Sequence, residues 1–252
     1  MNSKLMLTAA AAVLALTASA ATAAPAAYIA AAIADPGRKA DSARDADRKP
    51  TEMLEFAGVK PGQTVVDLLP GGGYFTRIFS KAVGPDGAVY AVSPPPRVST
   101  DPAKPTPTPA SDLIAADPAY ANVKSIHQAP SAFSTPTKAD LVWTSQNYHD
   151  LHNIKGLDMI AFDKAVFDSL KPGGVFVILD HIAAAGSPAD VTSTLHRIEP
   201  AVVRKEAEAA GFKFAGESKV LANPADDHTK GPFDPSLRGH TDQFIYKFRK
   251  PK

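Results

Sequence analysis

At 252 residues the chain is long enough for one substantial domain. Lys and Arg number 27 against 26 Asp and Glu, so charge gives no reason to expect nucleic acid or an anionic membrane surface as a partner. Cysteine is absent, which excludes disulfides, thiol nucleophiles, thiolate metal sites and lipid attachment through cysteine.

The N-terminus has the pattern of an export signal. Lys4 precedes an apolar run over Leu5–Leu16, and Ala18-Ser19-Ala20 and Ala21-Thr22-Ala23 offer small residues at a cleavage site. Residues 1–23 are therefore expected to be a signal peptide of an exported, periplasmic protein. No stable membrane insertion is expected after cleavage. Residues 24–43 are Ala-rich and read as a processed or loosely ordered lead, and the domain proper is expected over 44–252.

Asp47–Ala57 reads as one helix with Pro50 near its first turn, ended by Gly58. Thr64–Leu69 is a short β-branched run of the buried-strand type. Pro70-Gly71-Gly72-Gly73 breaks it, and Tyr74–Val83 has helical spacing. Ala88–Val92 is a second strand. Ser93–Pro109 holds seven of the 23 prolines and reads as a long surface loop. A helix near Ser111–Ala116 precedes strands at Val123–His127 and Ala139–Trp143. Leu157–Leu170 is a helix, Lys171–Gly174 a turn, and Val175–Asp180 the most hydrophobic strand. Arg197–Ala210 reads as a helix, with His196, Arg197 and Glu199 assigned to capping or surface charge. Phe212–Leu221 and Asp242–Phe248 close the chain as two strands with no helix between them. Alternating strands and helices predict a doubly wound, Rossmann-like α/β fold: a mostly parallel seven-stranded sheet with an antiparallel last strand.

A sheet of this kind binds ligands beyond the carboxyl ends of its strands. The turn Asp67–Gly73 leaves one of those ends and opens a helix, so its glycines let backbone approach a ligand that faces helix N-terminal amides. A Walker loop would need Lys-Ser/Thr after the glycines, and Tyr74-Phe75 stand there. A dinucleotide fingerprint would need a third glycine at Thr76 and an acid near Ser93.

Val66-Asp67-x-x-x-Gly71-x-Gly73 instead resembles the first motif of class I S-adenosylmethionine-dependent methyltransferases. Arg48-Lys49-Pro50 through Phe56, Lys60-Pro61-Gly62, Leu170–Gly174 and Gly239–Phe244 extend the resemblance to a bacterial group of predicted methyltransferases made with signal peptides. The resemblance implies S-adenosylmethionine as cofactor, with Asp67, Gly71, Gly72, Gly73, Tyr74, Ser93 and Asn147 as its binding residues. It also shows departures: Leu69 stands at the family's first glycine, and Ser93 stands where an acid usually meets the ribose hydroxyls.

The segment Thr144–His152 follows the fourth strand, and Asp180-His181 end the fifth, so both should meet at the ligand edge. His149 or His181 is expected to act as general base, with Asp180 orienting either ring. Asn147 and Tyr148 are candidates for positioning substrate, and His152 is expected to be structural. A metal alternative would use Asp180-His181 with His149 or His152, but Ser145 stands where an acid ligand would be needed. No metal is therefore expected. The expected function is methyl transfer to a small molecule. A binding domain that keeps the fold without transfer, and a metal-dependent enzyme using the same pocket, are the alternatives.

Overall fold

The computed structural model of the chain describes residues 25–252 except Arg97 and Pro102. The expected signal peptide at 1–23 lies outside the described residues. No helix among the described residues is long and apolar enough to cross a membrane.

All seven expected strands form: β1 Thr64–Leu68, β2 Ala88–Ser93, β3 Val123–His127, β4 Ala139–Ser145, β5 Leu170–His181, β6 Lys213–Ser218 and β7 Gln243–Arg249. They lie in the order β3-β2-β1-β4-β5-β7-β6. β1 pairs in parallel with β2 and β4, β2 with β3, and β4 with β5. β7 alone runs against the rest, wedged between β5 and β6. The chain's direction of travel reverses between β1 and β4, which is where such a sheet opens a crevice.

Both faces of the sheet are covered. Alternate strand residues point to opposite faces, and here both sets are apolar. Val65, Trp143 and Val177 face one core with Met53, Phe75 and Phe79. Val66, Val142 and Phe176 face the other with Phe162, Val166 and Val203. That is why the central strands read as unbroken apolar runs.

The helices are α1 Ala27–Ile33, α2 Asp45–Arg48, α3 Pro50–Ala57, α4 Tyr74–Val83, α5 Ala110–Ala116, α6 Tyr148–Leu151, α7 Met159–Ser169, α8 Val191–Thr194 and α9 Pro200–Ala209. Three differ from expectation in ways that shape the site. The Ala-rich lead is ordered: α1 buries Ile29 and Ala32 in the first core, and Arg38 is buried with its guanidinium paired to Asp45 at 2.6 Å. The helix expected over Asp47–Ala57 is broken at Lys49, which sits at φ +46. Pro50 explains the break, because its ring disfavours a right-handed helical residue before it. The helix expected from Arg197 starts instead at Pro200, with Glu199 extended. Pro again takes the first helical position, which leaves His196 and Arg197 in a loop. Arg197 is fully buried there, donating to Asp226 at 2.7 and 3.0 Å and to the carbonyls of Ile182 and Lys230 at 2.7 Å each. Lys171–Gly174, expected as a turn, extends β5, with a register irregularity opposite Ala139 and Leu141.

Candidate functional site

Two cavities of about 740 Å³ each open at the carboxyl edge of the sheet and share Asp150. The first runs along the ends of β1 and β2 and is lined by Leu69, Gly71, Ser93, Ser111, Asn147 and Ile154, among others.

Its floor is the β1–α4 turn. Asp67, at the end of β1, is 3% exposed and accepts a hydrogen bond from Thr76 Oγ1 at 2.6 Å. Burial pushes its carboxyl up to about 7, although Thr76 and the nearby Arg48 oppose the rise. Leu69, Gly71 and Gly73 all take positive φ, at +56°, +54° and +78°. Leu69 holds a conformation that costs an L-residue about 1–2 kcal/mol. Its carbonyl accepts from Asn147 Nδ2 at 2.6 Å, and Thr144 Oγ1 donates to Asn147 Oδ1. This bond ties the β1 turn to the β4 turn across the crevice. A Cβ on Gly73 would stand 2.1 Å from Ile114 Cδ1, so glycine there lets α5 pack on the turn. A Cβ on Gly71 would meet nothing within 4 Å, which leaves its backbone open to the cavity.

Ser93 closes the far end. Its hydroxyl lies 3.0 Å from His127 Nδ1, and His127 Nε2 lies 2.8 Å from Asp112 Oδ1. Hydrogen bonds from Ser125 and His127 hold the Asp112 carboxyl below its usual range. In the tautomer whose Nε2 donates to Asp112, His127 Nδ1 accepts the serine proton. The oxygen of Ser93, which lines the cavity, then has its lone pairs left to accept.

The second cavity lies beyond the ends of β4 and β5, and its lining includes Arg48, Gln146, His149, His181, His196 and Phe233, together with Arg44, Asp47, Arg238 and Gly239. Asp180 organises it from behind. This residue is fully buried and accepts three bonds of 2.8 Å: from the backbone N–H of His149, from His149 Nδ1, and from the backbone N–H of His181. A carboxylate only accepts, so the proton of a neutral His149 sits on Nδ1 and the Nε2 lone pair faces outward. Burial works against protonation of His149, but Asp180 and Asp150 outweigh it and raise its pKa. His181 behaves in the opposite way. Burial, opposed by Asp180, pushes its pKa down to about 4, and its Nδ1 lies 2.6 Å from Thr241 Oγ1.

Of the expected site residues, Gly71, Ser93 and Asn147 line the first cavity, and His149 and His181 line the second with Asp180 behind them. Asp67, Gly72, Gly73 and Tyr74 line neither. Tyr74 is 2% exposed, donates to Asp45 Oδ1 at 2.5 Å and lies under the guanidinium groups of Arg38, Arg44 and Arg48. Its side chain anchors the N-terminal segment and does not reach a ligand cavity. Tyr148 likewise points into the core, with Asp163 at 2.9 Å and Glu206 at 3.1 Å, and so cannot position substrate. His152 pairs with Glu206 at 3.1 Å, in keeping with a structural role. The residues absent from the expectation are Arg48, Asp150, His196, Phe233 and Arg238. Pro200 was the available signal for His196, because proline favours the first helical position and so leaves His196 in the loop before the helix.

Comparison of the sequence with protein-family models and with curated proteins gave no match. The fold does match solved structures. A SAM-dependent methyltransferase from Aquifex aeolicus aligns with a TM-score of 0.55 and 18% identity, over 85% of this chain and 93% of that one. An arsenic(III) S-adenosylmethionine methyltransferase from Chlamydomonas reinhardtii aligns with a TM-score of 0.53 and 20% identity, over 91% and 75%. The cyclase SpnF aligns with a TM-score of 0.55 and 16% identity, over 82% and 81%. At these identities the likeness is one of fold, and it includes a protein described as a cyclase.

Proposed function

We propose that the chain binds S-adenosylmethionine in the first cavity and transfers its methyl group to a small molecule held in the second, outside the cytoplasm. The observation that carries this reading is the pair of adjoining cavities, meeting at Asp150, at the carboxyl edge of a sheet whose fold matches that of methyltransferase structures.

The chain's own residues fit the cofactor. Gly71 leaves backbone open to an amino-acid end, and the buried Asp67 behind it, once ionised, favours a cationic group. Ser93, made an acceptor by His127 and Asp112, takes the place of the usual ribose-binding acid. When bound, S-adenosylmethionine supplies an electrophilic methyl carbon on a sulfonium. His149 supplies the complementary feature, because Asp180 fixes its ring so that Nε2 presents a lone pair to the acceptor's heteroatom. His181 stays neutral beside it. The remaining acceleration comes from alignment of two ligands in adjoining sites.

Calorimetry with S-adenosylmethionine and S-adenosylhomocysteine tests the reading: saturable binding of both is expected, and silence up to millimolar ligand refutes it. His149→Ala should then lose turnover while retaining cofactor affinity.

Binding without transfer is the second reading, and Leu69 favours it. Its side chain lines the first cavity where a glycine would leave open backbone, and its carbonyl is already engaged by Asn147. Leu69→Gly should therefore tighten S-adenosylhomocysteine binding. If the variant binds more tightly but no acceptor is ever turned over, the second reading stands.

A further inference from the structure

Three side chains converge where the second cavity meets the first. His149 and Asp150 come from the first turn of α6, and His196 comes from the loop before α9. One donor atom from each lies within 4.8 Å of the other two. His149 Nε2 is 3.4 Å from Asp150 Oδ1, and His196 Nδ1 is 3.7 Å from the same oxygen. Ligands of a small divalent ion stand about 2.0–2.2 Å from it, which puts neighbouring donors about 3–3.5 Å apart. The two measured spacings are at or just beyond that range, within reach of side-chain rotation.

Two further observations point the same way. First, His149 is 2% exposed, and its other nitrogen is held by the buried Asp180 carboxylate. A carboxylate behind the non-ligating nitrogen is the arrangement that orients metal-binding histidines and strengthens them as donors. Second, His196 is held at φ +52, a conformation uncommon for a residue with a side chain. The buried Arg197 next to it, clamped by Asp226, keeps the loop in that shape and the ring edge-on to His149 at 5.5 Å.

We propose that His149, Asp150 and His196 form a site for a divalent first-row transition ion, with two imidazoles and one carboxylate on one side and open positions toward the second cavity. Imidazole suits zinc, iron, copper and nickel, and two histidines with one carboxylate leave positions free for an exogenous ligand. Asp180 is not a ligand, because both of its oxygens are already engaged. Arg44, Arg48 and Arg238 line the same cavity. A dication held there by one directly coordinating carboxylate favours an anionic ligand in the open positions. The metal site itself does not depend on the methyl-transfer reading. If both hold, the ion would occupy the Nε2 lone pair of His149 and would take over from it the role of favouring the acceptor's anionic form.

The test uses the protein purified without a polyhistidine tag and stripped with chelator. Zinc is titrated by calorimetry, and cobalt(II) is titrated by visible absorption, which reports nitrogen and oxygen coordination directly. One equivalent of zinc should bind. His196→Gln and Asp150→Asn, both at accessible positions, should keep the wild-type circular dichroism and weaken binding by more than roughly tenfold each. No saturable uptake at millimolar zinc overturns the proposal, as does unchanged affinity in both folded variants. S-adenosylhomocysteine is titrated separately against the same stripped protein. Its failure to bind would remove the methyl-transfer reading and leave the zinc result intact, and the converse holds equally.

Discussion

Asp67 gives the sharpest quantitative test. It is an acid sealed at the end of β1, with one hydroxyl donor and a pKa raised to about 7 by burial. In the unfolded chain the same carboxyl titrates near about 3.9. The folded state therefore holds this proton more tightly than the unfolded state. Between the two pKa values the native protein binds more protons, so stability falls as pH rises through that window and levels off above about 7. Each pH unit is worth about 1.4 kcal/mol, so the full window costs about 4 kcal/mol. Asp67→Asn keeps an oxygen for Thr76 Oγ1 and removes the charge. The variant should match the wild type near pH 4 and exceed it by about 4 kcal/mol at pH 8. Urea midpoints of both proteins across this range give the difference directly and cancel the titration of all other groups. A difference that does not change with pH would refute the reasoning. Ligand binding supplies a second arm. A cationic group beside Asp67 favours its ionised form, so S-adenosylhomocysteine should bind the wild type more tightly as pH rises toward 8 and should show no such trend with Asp67→Asn.

Gly73→Ala places a methyl 2.1 Å from Ile114 Cδ1 at φ +78 and should cost about 2–4 kcal/mol, with part of the loss recovered by Ile114→Val; thermal melts decide. Ser93→Ala, His127→Gln and Asp112→Asn should each weaken S-adenosylhomocysteine binding by about five- to tenfold, and the double variants should not add, because the three act as one chain. Additive losses in calorimetry would dissolve the relay. Asp226→Asn leaves the buried Arg197 without its counter-charge and should cost about 3–5 kcal/mol in urea unfolding. A loss within the scatter of surface substitutions would contradict that pairing.

The strands were legible because the sheet is buried on both faces. Val65-Val66 and Val175–Leu179 supply apolar residues to both cores, so nothing but a covered strand fits them. Helix limits were less legible where proline sits inside a helical pattern. The spacing of Asp47–Ala57 runs straight across Pro50, yet the backbone turns at Lys49 and so brings Arg48 to the second cavity. The Ala-rich lead carried too little periodicity to read as a helix, although α1 buries two residues of it. At the site, residues at strand ends could be placed because the fold fixes where strands end: Ser93, His149 and His181 all arrive at cavities. Tyr74 could not, because the direction of its ring depends on Asp45, Arg44 and Arg48 at the start of the domain and on Arg38 from the segment read as a lead. His196 and Phe233 reach the second cavity from separate loops, and only the assembled chain brings them together.

The three bonds into Asp180 also restrict how this protein can change over generations. Asparagine is a single base change away and nearly the same shape. Its amide, however, would turn a donor toward one of three N–H groups already pointing at that spot. Glutamate, the other acid, is one carbon longer and would carry its carboxylate past the three N–H groups that Asp180 now meets. A lineage cannot leave aspartate here gradually while keeping the His149 ring in place. It must alter the ring, the turn that carries it and the acid together, which makes this corner slow to drift.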